Sequence, residues 1–139
     1  MKTKLDKVLI VDDSEADTFI HVRQLKKAGI VNNITTKRNG REALDYLCTP
    51  EAGRYPAPEL VFLDINMPVM NGWEFLDAYQ SLPDEQRANI VVTMLTTSAS
   101  NRDRDKAAGY GILINDYEEK PLTVEKIHRI TQRHFPERF

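Results

Sequence analysis

Short apolar runs alternate with longer stretches of mixed polarity along the whole chain. Val8-Leu9-Ile10-Val11, Leu60-Val61-Phe62-Leu63 and Ile90-Val91-Val92-Thr93-Met94-Leu95 are the clearest of these runs. Segments this short and this rich in branched residues read as strands buried on both faces. The first strand is predicted over Lys7–Val11. Ser14 then occupies a helix N-cap position, and Glu15–Lys27 reads as a helix ended by Gly29. Asn33–Lys37 is a less apolar second strand. Asn39-Gly40 turns the chain into a helix whose Ala43, Leu44 and Leu47 form an inward stripe. A loop from Pro50 to Pro58, with Tyr55 as its packing residue, leads to a third strand, Leu60–Asp64. Asn66–Gly72 breaks both regular structures, because Pro68 and Gly72 interrupt it. A third helix over Trp73–Ser81 and the fourth strand follow, the latter ending at Thr96-Thr97-Ser98. A polar helix then runs to Ala108, a fifth strand falls within Ile112–Glu119, and a fifth helix covers Thr123–Phe135 with Val124, Ile127 and Ile130 inward. Strands alternating with helices predict a doubly wound α/β domain, its five-stranded parallel sheet covered by helices on both faces.

The 139 residues suit a single domain that buries roughly two-thirds of its unfolded surface. Nineteen basic against twenty-one acidic residues give a net charge of −2, which argues against direct nucleic-acid binding. The single cysteine, Cys48, excludes an internal disulfide and a cysteine-based metal site; it reads as a helix-end thiol. The basic start is followed by only a short apolar run ending in two aspartates, too brief for a signal peptide core or a membrane span. The expected location is the cytoplasm, with no membrane partner.

The chemistry collects at the predicted strand ends. Asp12 and Asp13 follow the first strand, Asp64 closes the third, Thr96 closes the fourth, and Lys120 follows the last apolar run ahead of Pro121. In open α/β sheets the functional crevice lies outside the carboxyl ends of the strands. If strands one and three are neighbours, three carboxylates converge, and like charges that close stay ionised only around a cation. A divalent metal and chemistry on an anion are therefore expected.

Val11-Asp12-Asp13-Ser14, Leu63-Asp64-Ile65-Asn66-Met67-Pro68 with Asn71-Gly72, Leu95-Thr96-Thr97 and Glu119-Lys120-Pro121 stand in an order that resembles the receiver domains of two-component response regulators, chemotaxis-type and phytochrome-associated single-domain regulators included. The resemblance covers essentially the whole chain. It implies a flavodoxin-like sheet of order 2-1-3-4-5, and a single receiver domain over residues 1–139 with no output domain. It also implies that Asp64 accepts a phosphoryl group from a sensor histidine kinase or phosphotransfer protein. Mg²⁺ would be bound by Asp13, Asp64 and the backbone carbonyl of Asn66, with Asp12 acting through water. Thr96 and Lys120 would contact the phosphoryl oxygens. Catalysis would be limited to the protein's own phosphorylation and dephosphorylation.

Tyr117 stands where receivers place a rotating aromatic. It would switch the face made by the fourth helix, fifth strand and fifth helix toward an unknown downstream protein, a relay or a homodimer formed on phosphorylation. Asn66 and Ser98 occupy the positions that tune dephosphorylation rate, and neither is acidic. Thr97 departs from the alanine that many receivers carry, and the stretch Gly109–Lys120 is longer than usual. The alternative function is a Mg²⁺-dependent phosphohydrolase with an aspartyl-phosphate intermediate. It would want a general acid at position 66, where this chain has asparagine. His21, His128 and His134 read as exposed helix residues, Trp73 and Phe75 as core, and Asn101–Lys106 as a solvated helix face.

Overall fold

Every side chain of the apolar runs Val8–Val11 and Leu60–Leu63 is buried, as expected of strands covered on both faces. The computed structural model describes residues 4–87, 91–97, 101–110 and 114–139. Strands β1 (Leu5–Val11), β2 (Val31–Lys37), β3 (Leu60–Asp64), β4 (Val91–Thr96) and β5 (Asp116–Glu119) form one sheet of order β2-β1-β3-β4-β5. All four pairings are parallel, with Val11 beside Leu63, Asp64 beside Leu95 and Thr96 beside Glu119. The predicted order and parallel sense are observed. Strand order reverses between β1 and β3, so the crevice expected of such sheets opens beyond Val11 and Asp64.

Pleating sorts the core into two layers. Leu9, Val11, Val61, Leu63, Val92 and Met94 face helices α2 (Gly40–Cys48), α3 (Gly72–Tyr79) and α4 (Asn101–Ala108), meeting Leu47, Phe75, Leu76 and Ala107. Leu5, Val8, Ile10, Leu60, Phe62 and Leu95 face α1 (Glu15–Ala28) and α5 (Val124–His134), meeting Leu25, Ile127 and Ile130. Trp73 and Phe75 are core residues, as the sequence predicts, and Cys48 is an exposed thiol ending α2.

The helix starts carry their caps. Ser14 Oγ accepts from the Asp17 amide at 3.2 Å, Asn39 Oδ1 from Glu42 at 2.9 Å and Thr123 Oγ1 from Lys126 at 3.2 Å. Asn71 and Glu74 form a reciprocal capping box on α3. Each cap satisfies a backbone donor that has no helical partner and is worth about 1 kcal/mol. Gly29 closes α1 in the left-handed conformation, φ 68°.

Some expectations need correction. A single helical turn, Asp84–Arg87, begins just after Pro83, in a stretch with no periodic apolar pattern. Gly72 belongs to the first turn of α3, and its glycine answers a close approach: a Cβ there would lie 2.5 Å from the Asp64 carbonyl oxygen and 3.1 Å from Ile65 Cα. His21 is 1% exposed and His134 is half-buried, so only His128 is the exposed helix residue predicted. Residues 111–113, Ile90 and Ser98 lie outside the described residues.

Candidate functional site

β1 and β3 end side by side, and their register delivers the acids to one place. One carboxylate oxygen each from Asp12, Asp13 and Asp64 lie within 4.8 Å of one another. Asp12 and Asp64 are buried, at 3% and 6% exposure, while Asp13 is exposed. Asp12 Oδ1 accepts from the Ser14 amide at 2.9 Å, and Asp64 Oδ1 accepts from the Ile65 amide at 2.9 Å. Both carboxylates are thus held by the first residues of the loops they open.

Lys120 enters from the other side. Its amide donates to the Thr96 carbonyl oxygen at 2.7 Å, tying the end of β5 to the end of β4. Its side chain is 9% exposed, with Nζ 2.8 Å from Asp12 Oδ2, 2.9 Å from Asp17 Oδ2 and 3.4 Å from Asp64 Oδ1. The peptide bond between Lys120 and Pro121 is cis. Thr96 is 3% exposed at the end of β4.

Burial raises the Asp64 carboxyl to about 6, and the neighbouring Asp12 charge adds to the effect against the pull of Lys120. Burial alone would lower Lys120. Its hydrogen bonds to Asp12 and Asp17 and the surrounding carboxylate charges win, holding the ammonium above its usual range. Three carboxylates, those of Asp12, Asp17 and Asp64, therefore share one ammonium. Three acid oxygens this close, one of them costly to ionise, form a hard-oxygen donor set of the kind divalent cations such as Mg²⁺ take.

The structure brings together Asp12, Asp13, Asp64 and Lys120 of the predicted site. Asn66 is exposed just past Asp64, Thr97 is exposed past Thr96, and Ser98 falls outside the described residues. Tyr117 lies in β5 opposite Met94, on the same sheet face as Thr96 two residues further along β4. It is half-buried, its hydroxyl is buried without a hydrogen-bond partner among the described residues, and the Arg104 guanidinium of α4 stands 5.7 Å from its ring centroid.

The sequence does not point to Asp17, and it reads His21 as exposed. Asp17 bonds Lys120 directly. His21, one turn further along α1, is buried with Nδ1 unpartnered among the described residues, and burial together with the Lys120 charge keeps its pKa low. Stepping back by four residues from the buried Leu25 reaches His21 and then Asp17, the signal that could have found both.

Among known proteins, the response regulator receiver domain family matches residues 8–132. The probable methanogenesis regulatory protein FilR2 of Methanothrix harundinacea (strain 6Ac) is 34% identical over 125 residues, spanning 90% of this chain and 78% of that protein. A crystal structure of a two-component response regulator from Cytophaga hutchinsonii superposes with a TM-score of 0.84 at 28% identity, covering 96% of this chain and 99% of that one. The Mn²⁺-bound form of response regulator Rcp1 superposes with a TM-score of 0.70 at 29% identity, covering 92% and 90%. Receiver domains bind a divalent metal and take phosphoryl groups from histidine kinases or phosphotransfer proteins. Among the described residues no helix is long and apolar enough to cross a membrane. A match of this extent, on a chain whose acids and lysine converge where the strand order reverses, makes the chain a member of the response regulator receiver domain family.

Proposed function

We propose that Asp64 is the phosphoacceptor of a cytoplasmic signalling switch, charged by a histidine kinase or a phosphotransfer protein. The observation that carries this reading is the position of Asp64: buried at the end of β3, within 4.8 Å of two other acids and 3.4 Å from Lys120. Asp13, Asp64 and the Asn66 backbone carbonyl would hold Mg²⁺, with Asp12 reaching it through water. The cation supplies positive charge that offsets the oxygens of the incoming group.

An Asp64 carboxylate oxygen attacks the phosphorus of a phosphohistidine. The new P–O bond forms as the P–N bond breaks, and the departing imidazole nitrogen keeps the electron pair and takes a proton. The Lys120 ammonium pairs with a phosphoryl oxygen, and the Thr96 hydroxyl donates to another. Asn66, with no carboxyl to activate water, and Ser98 would set how long the acyl phosphate survives.

Output would pass through Tyr117 to the face formed by α4, β5 and α5, where a downstream protein docks. Reversing a 1:99 equilibrium takes about 5.5 kcal/mol. Two hydrogen bonds to a charged phosphoryl group, each worth roughly 1.5–3 kcal/mol, reach that order. The buried Tyr117 hydroxyl, unpartnered among the described residues, supports this route, because a rotated ring would regain a partner or water.

Intact mass spectrometry tests the core of the reading. Acetyl phosphate with Mg²⁺ is expected to add one phosphoryl mass to the wild type and none to Asp64→Asn. An unlabelled wild type, or a labelled variant, would refute it.

A further inference from the structure

Asp17 stands outside the three-acid cluster, yet it holds the site's lysine. We propose that Asp17 is a positioning residue that tethers the Lys120 ammonium to helix α1, so that a phosphoryl group on Asp64 must compete for it. The inference rests on the roles assigned above to Asp64 and Lys120.

The geometry orders the competitors. An ammonium has three protons to donate. Lys120 Nζ lies 2.8 Å from Asp12 and 2.9 Å from Asp17, both within the range of a charge-assisted bond. Its contact with Asp64, at 3.4 Å, is longer than such a bond. In this resting arrangement the ammonium belongs to β1 and α1 more than to the phosphoacceptor.

Asp17 is poorly placed to follow the ammonium inward. Its amide donates to Ser14 Oγ in the first turn of α1, which fixes its place on the helix. A phosphoryl group that draws Lys120 closer to Asp64 therefore lengthens the Asp17 bond. That exchange stays reversible for two reasons. The Asp17 side chain is 35% exposed, so water can replace the lost donor. Its position in the first helical turn also leaves its charge favoured by the helix N-terminus. The tether thus slows phosphorylation and weakens the phosphorylated state.

Asp17→Asn removes the charge and keeps a side chain of the same size. It is expected to speed labelling of Asp64 by acetyl phosphate and Mg²⁺ roughly five-fold and to tighten beryllofluoride binding, read by calorimetry, by a similar factor. Asp17→Glu keeps a carboxylate within reach of Lys120 and should return both quantities to near the wild-type values. In a Lys120→Ala background, Asp17→Asn should leave beryllofluoride affinity unchanged, because the tether no longer has anything to hold. A residue that merely supported the fold would give the opposite sign, with slower labelling and weaker binding. Slower or equal labelling of Asp17→Asn, or an effect that persists without Lys120, would overturn the inference while leaving Asp64 as phosphoacceptor. A wild type that takes no phosphoryl group would instead remove the reading on which the inference rests.

Discussion

Asp64 and Asp116 are both buried aspartates of the same sheet, one closing β3 and the other opening β5, and their surroundings differ in one respect. Asp116 has a side-chain donor for each oxygen. Arg133 Nη1 reaches its Oδ1 and His134 Nε2 reaches its Oδ2, each at 2.5 Å, from successive residues at the end of α5. Asp64 is under-supplied: it accepts one backbone amide and shares a distant lysine with Asp12 and Asp17. A buried carboxylate with a donor for each oxygen closes a joint between elements. A buried carboxylate crowded by other acids is left wanting positive charge, and that need is what a cation and a phosphoryl transfer can use.

The largest expected effect follows from that contrast. The Asp64 carboxyl is raised from 3.8 to about 6, so the folded chain binds this proton more tightly than the unfolded chain. Its ionisation therefore costs stability as pH rises from about 4 through 6, and the loss is complete above that window. Roughly two units at about 1.36 kcal/mol each amount to roughly 3 kcal/mol. Asp64→Asn should be more stable than the wild type by roughly 2–3 kcal/mol in urea unfolding at pH 8 with EDTA. The gap should close toward zero at pH 4. A variant less stable than the wild type at pH 8 would erase the distinction between the two aspartates.

Asp116→Ala should act with the opposite sign and a smaller size. It strips both donors of their acceptor, but Arg133 is 53% exposed and can return to water. A loss of about 1–2 kcal/mol is expected, with labelling of Asp64 by acetyl phosphate unchanged. A labelling defect in a folded Asp116→Ala protein would show that this second cluster also belongs to the phosphorylation machinery.

The two clusters were not equally legible in the sequence. Asp12, Asp13, Asp64, Thr96 and Lys120 could be placed because each sits at the end of a strand, and three of the four strands concerned announce themselves as apolar runs. Once those strands are parallel, their ends coincide. The fifth strand was harder. Asp116–Glu119 is polar, and what lets its first residue be buried is a pair of donors from α5, far along the chain. Asn115 adds another remote contact, its Oδ1 accepting from the Val92 amide at 2.9 Å. No local pattern carries that information. Helix α1 misled in the other direction. Phe19 and Ile20 are 63% and 43% exposed, while His21 is buried beside the Lys120 charge. A hydrophobicity pattern would have turned that helix the other way, and Asp17 was missed with it.

The smallest effect sharpens why donor balance matters only where water is excluded. Arg41 and Asp45 form an i,i+4 pair on α2, with Nε 3.5 Å from Oδ1 and side chains 62% and 63% exposed. Here one acid has one cation, a better balance than at Asp64, yet solvent screens both charges and each side chain loses rotamer freedom to hold the contact. Arg41→Ala is expected to cost no more than about 0.3–0.5 kcal/mol in urea unfolding at low salt, and less at 0.5 M salt on the order-of-magnitude screening expected there. A cost matching that of Asp116→Ala would mean that counting partners, with no reference to burial, already predicts stability. Asp64 would then lose its claim to be distinguished by a dry, acid-crowded setting rather than by the number of its neighbours.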